Sequence, residues 1–142
     1  MRVVPFDPSH LEILELQESQ QLFRKFFDKN YGPALQASGP CFTAIDDGQV
    51  LICAGAARQW DNRAIAWSLI SAHAGRQFVR IHKAVTRFLE TTDFNRIEAF
   101  VDADFEQAHR WIEMLGFQRE GYMRQFTPDG RDSFLYARLK NG

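Results

Sequence analysis

His73, Ala74, Gly75 and Arg76 stand where an apolar run gives way to a helical repeat, and this junction is the stretch of the chain best suited to chemistry. Ala64 to Ser71 reads as a strand, and a helix is expected from about Arg76 to Thr92. The first turn of a helix leaves N–H groups without partners, and the helix dipole favours an anion beside them. Glycine in such a turn tolerates positive φ and lets a ligand come close to the backbone. The pattern predicts a seat for a phosphate, although a strand, a turn and a helix joined by one glycine also serve as plain architecture.

The surrounding elements follow from periodicity and turn residues. Arg2 to Phe6 is expected as a first strand, and Asp7-Pro8-Ser9 as the start of a helix carrying Leu11, Leu14 and Leu16. Ser19 to Lys29 repeats Leu22, Phe23, Phe26 and Phe27 on one side, a second helix, which Asn30-Tyr31-Gly32-Pro33 should end, leaving loop to Pro40. From Cys41 the pattern is a hairpin turning at Asp46-Asp47-Gly48, then a turn at Asp61-Asn62 into the Ala64 strand. Arg96 to Asp102 is another strand, Phe105 to Leu115 a helix stopped by Gly116, and a closing hairpin turns at Pro128-Asp129-Gly130. The order is β-αα-βββ-α-β-α-ββ. That predicts an α/β (α+β) fold with a mixed sheet of about six to seven strands, the Ala64 and Arg96 strands parallel.

Residues 1–142 are expected to form one domain with a continuous core. Seventeen basic residues against 18 acidic ones give a net charge of −1, which argues against a nucleic-acid partner or a membrane surface. No apolar run is long enough for a bilayer span, and Cys41 and Cys53 lack metal-ligand spacing. The chain reads as cytoplasmic, with both thiols free. Exposed edge strands in the closing hairpin leave room for a homodimer.

Residues 108–139, AHRWIEMLGFQREGYMRQFTPDGRDSFLYARL, resemble the last helix, its Leu-Gly-Phe ending and the final two strands of the GNAT superfamily of N-acetyltransferases. RVVPFDPSHLEIL is similar to that family's first strand and helix, and GRQFV at 75–79 to the end of its acetyl-CoA pyrophosphate loop. The resemblance covers essentially the whole chain. It implies acetyl-CoA as co-substrate and an amine as acceptor. The cofactor would lie between the Ala64 and Arg96 strands, with main-chain groups near Leu69, Ile70 and Ser71 pairing with the pantetheine arm. Amides of His73, Ala74, Gly75 and Arg76 would hold the pyrophosphate, Arg76 and His73 adding charge.

The chain also departs from the family pattern. Ile70 stands at the loop's Gln/Arg position, His73 at its first Gly, Phe105 where an Asn is common and Ile112 where a Tyr often protonates the thiolate. Glu98, mid-strand beside the implied cleft, is the candidate base; the alternative is an exposed strand residue alternating with Ile97 and Ala99. Asp102 and Asp104 read as strand-end and capping residues, His109 and Arg110 as solvated, and His82 as a satisfied, partly buried histidine. Tyr122 and Tyr136 could replace the missing acid or simply pack. Trp60 and Tyr31 could line an acceptor site or be surface aromatics. Acyl transfer to an amine depends chiefly on positioning and on polarising the carbonyl, so these losses do not exclude it. Two functions follow: an N-acetyltransferase for a primary amine, or a non-catalytic GNAT-fold binding protein, similar to phage and prophage members, that retains CoA.

Overall fold

A computed structural model describes residues 1–140. In chain order the elements are β1 (Arg2–Pro5), α1 (His10–Ile13), a 3₁₀ strap (Glu18–Phe26), α2 (Tyr31–Ala37), β2 (Cys41–Asp46), β3 (Gln49–Trp60) and β4 (Arg63–Ile70). A 3₁₀ turn (Gly75–Gln77) leads into α3 (Phe78–Thr91), followed by β5 (Arg96–Asp102), α4 (Glu106–Met114), β6 (Gln118–Met123) and β7 (Ser133–Leu139). The hydrogen-bonded order is β1-β2-β3-β4-β5-β7-β6, the mixed seven-stranded sheet expected from the sequence. β4 and β5 run parallel, pairing Arg63 with Arg96, Ala64 with Ile97 and Ile65 with Glu98.

The strands form where turn chemistry dictates. Asp47 and Gly48 have φ of 50° and 77°, the two left-handed residues that a tight hairpin needs to match the twist of β2 and β3. Gly116, at φ 93°, closes α4 as the sequence requires. Two helical expectations are corrected. Pro33 does not end a helix; it sits in the first turn of α2, where a missing N–H costs nothing and a fixed φ suits the helix. The Ser19–Lys29 stretch is a 3₁₀ strap, and none of its residues from Glu18 to Phe26 is buried. Polar ties rather than a packed face hold it: Gln21 Nε2 donates to Leu16 O (2.6 Å), and Arg24 to Leu14 O (2.7 Å) and Leu11 O (3.3 Å).

The chain divides into two compact units. The first comprises Met1–Arg58 and Ala66–Thr92. Its core gathers Phe6, Leu11, Leu14, Leu16, Val50, Cys53 and Leu69, with Tyr31 and Trp67 packed against it. α3 turns Ile81, Val85 and Leu89 inward at helical spacing. The second comprises Gln59–Ile65 and the described chain from Asp93 onward. Ile97, Ala99 and Val101 of β5 are buried there, as are Tyr136 and Ala137 of β7.

Candidate functional site

Strand β4 brings the first candidates together. Leu69, Ile70, Ser71 and Ala74 are all buried. Ser71 N–H donates to Leu51 O of β3 (2.8 Å), so the odd-numbered main-chain groups face β3. The even-numbered groups face the other way, and those of Ile70 and the Ser68 carbonyl are already bonded. Gln17 N–H donates to Ile70 O (2.8 Å), Ile70 N–H to Gln20 Oε1 (2.8 Å), and Gln20 Nε2 to Ser68 O (2.8 Å). Ala72 N–H donates to Glu15 O at 2.7 Å. The strap's first turn and the residues just before it therefore run along this edge.

The turn beyond β4 is built from short local bonds. His73 N–H donates to Ser71 Oγ (3.0 Å), Ala74 N–H to Ser71 O (3.2 Å) and Gln77 N–H to Ala74 O (3.0 Å). Among the described residues, the Gly75 and Arg76 N–H groups have no such partner. Both residues are exposed, and a Cβ placed on Gly75 would meet nothing within 4 Å. Two adjacent open amides ahead of a 14-residue helix fit an anionic group. The expected need for positive φ is absent, because Gly75 is not among the left-handed residues. What it offers is open space. His73 is exposed, and its Nε2 lies 2.6 Å from the Glu15 carboxylate, so that ring nitrogen is already engaged.

Glu98 lies in the second unit, buried, and its carboxylate accepts from two guanidinium groups. Arg63 bonds it through Nε and through Nη2 (2.9 Å), and Arg96 Nε through a 2.8 Å contact. Arg96 in turn grips Glu120 at 2.6 Å. The Arg63 bond, then the Arg96 bond and both positive charges, outweigh burial and hold the Glu98 carboxyl down at about 2. Both Glu98 oxygens are thus engaged by guanidinium groups, which disfavours uptake of a proton.

His109 is also corrected. It is buried, not solvated, and its ring bridges α4 to β7. Nε2 lies 3.1 Å from Ala103 O, which can only accept, so Nε2 carries the hydrogen. Nδ1 then accepts from the fully buried Tyr136 hydroxyl at 2.8 Å, and that oxygen accepts from Arg119 Nη2 at 3.0 Å. The spacing Phe105–His109–Ile112, one helical face, was the signal available for this. Tyr122 is exposed and donates to Asp132. Asp102 accepts from Asp104 N–H (3.0 Å), whereas no side chain caps α4. Trp60 is exposed beneath the Arg63 guanidinium, and Tyr31, half-buried, stacks on Phe27 (4.8 Å) against the first core. Ile112 and Phe105 are half-buried, and His82 is half-buried as expected.

No family model matches this sequence, and no curated protein matches it. Solved structures do. Ard1 from Thermoplasma volcanium aligns over 97% of this chain and 96% of its own, with TM-score 0.79 and 13% identity. A GNAT-family acetyltransferase from Bacillus anthracis aligns over 99% and 95%, with TM-score 0.68 and 14% identity. A variant of spermidine N-acetyltransferase SpeG from Vibrio cholerae aligns over 99% and 96%, with TM-score 0.68 and 15% identity. The fold is that of the GNAT N-acetyltransferases. None of the three is a phage protein by name, so the phage-type likeness has no support from them. On this GNAT fold, all of Leu69–Arg76 falls in the first unit and Glu98 in the second.

Proposed function

We propose that this chain is an acetyl-CoA-dependent N-acetyltransferase acting on a primary amine of a small molecule or a protein. The observation that carries it is the open turn after β4, where Gly75 and Arg76 present adjacent N–H groups with no side chain in the way. In this reading the open amides of Gly75 and Arg76 receive the pyrophosphate in the turn begun by His73 and Ala74, whose own amides bond Ser71, and the main chain at Leu69, Ile70 and Ser71 receives the pantetheine arm. Acetyl-CoA supplies the activated thioester. The chain's part is to bind and orient it: with Glu98 engaged, water takes the proton from the attacking amine, and with Ile112 at the usual Tyr position, water also protonates the departing CoA thiolate. Both cysteines are free, so we assign a reducing compartment, the cytoplasm.

Isothermal calorimetry with acetyl-CoA, and CoA as control, tests this. Saturable binding that Gly75→Trp abolishes is the expected result; no heat in the wild type would sink the proposal. The second reading, a non-catalytic GNAT-fold binding protein, is favoured by the engaged edge of β4. Turnover with any member of a panel of primary amines would rule it out.

A further inference from the structure

Main-chain groups that leave water must find partners, and three even-numbered groups at the end of β4 find theirs in the strap and in Gln17 just before it. Gln17 supplies one bond through its backbone, to Ile70 O. Gln20 supplies the other two with a side chain: its oxygen accepts from Ile70 N–H and its nitrogen donates to Ser68 O, both at 2.8 Å. A carboxamide offers one acceptor and one donor in a plane, the same pair that a secondary amide presents to a strand edge. Gln20 thus fills the place of an extended amide.

The two kinds of tie differ in how firmly they are rooted. Leu14 and Leu16 are buried just before the strap, Leu16 bridges to Ser71, and Ala72 N–H bonds Glu15 O. These fix the main chain beside β4. Gln20 itself is half-buried on a segment with no buried residue, and hydrogen bonds exchanged with water are worth little net. Its side chain can therefore leave while Gln17 stays.

We propose that the Gln20 carboxamide is a built-in competitor for the arm of the cofactor: an acyl-CoA, whose pantetheine carries amides, binds by displacing Gln20 from Ser68 and Ile70. This rests on the acetyl-CoA reading above. Displacement lowers the affinity of the resting protein and makes strap occupancy a control on cofactor entry.

The test combines calorimetry with amide NMR. Gln20→Ala should bind acetyl-CoA about tenfold more tightly than the wild type, the worth of one or two net hydrogen bonds. In the wild type, saturation with acetyl-CoA should shift the Gln20 side-chain amide signals while Ile70 N–H stays protected from exchange. Equal or weaker binding by Gln20→Ala, or unmoved Gln20 signals at saturation, would overturn the inference and leave the cofactor reading standing. If neither protein binds, although Ile70 N–H exchanges fast in Gln20→Ala, the cofactor reading fails and the inference with it. Should the variant not fold, the wild-type NMR experiment decides alone.

Discussion

Glu98 shows what a side chain's partners do to its chemistry. Its folded pKa is depressed, so its stabilisation is full above the unfolded value near 4.5 and is lost as pH falls toward about 2. Arg63 and Arg96 are about a quarter exposed, so water screens part of the shift, and roughly 2–3 kcal/mol remains at neutral pH. Glu98→Gln should lose that amount in urea unfolding at pH 7, and the gap from wild type should close as the pH falls through that window. A gap that persists at low pH would mean packing, not charge, is lost. Tyr136→Phe should cost roughly 1–3 kcal/mol by leaving His109 Nδ1 without a donor in the core. The Glu98 cluster was not legible in the sequence, and for His109 only its place on a helical face with Phe105 and Ile112 was. Glu98 alternates with apolar neighbours like any strand residue, and Arg63 lies 35 positions away in the chain.

At the scale of elements, two glycines predict opposite outcomes for one chemical change. A Cβ on Gly55 of β3 would lie 2.7 Å from Cys41 Cβ, 2.8 Å from Pro40 O and 2.9 Å from Trp67 Cε2. Gly55→Ala should therefore destabilise by roughly 1–3 kcal/mol, whereas Gly75→Ala, facing open space, should stay within about 0.5 kcal/mol in the same denaturation experiment. The strands were readable because hairpin turns and period-two runs act locally; β5 falls where the sequence placed it. The strap was not. Its apolar repeat mimics a packed helix, but Gln17, Gln20 and Arg24 bond to main-chain groups that only the folded chain supplies.

Taken whole, the molecule shares the fold of the three structures aligned with it at 13–15% identity. Backbone pairing and burial tolerate wholesale replacement of side chains, which is why motif order along the chain carried the fold although Ile70, His73, Phe105 and Ile112 depart from the family pattern. If acetyl-CoA binds only the folded chain, a hundredfold excess over Kd should add about 2.7 kcal/mol and raise the midpoint of thermal unfolding. Gly75→Trp should abolish the rise without lowering the midpoint of the free protein. An equal rise in that variant would place the ligand elsewhere.

The two thiols have a practical use. Cys53 is sealed in the first core, where burial pushes its thiol up to about 11, and burial raises Cys41 as well. Alkylating reagents attack thiolates, so at neutral pH Cys53 is shielded from maleimide chemistry and Cys41, half-buried, reacts more slowly than an exposed thiol. A cysteine introduced at the exposed Ser19 would react first, and a single dye there would report strap movement in real time, without removing either native sulfur.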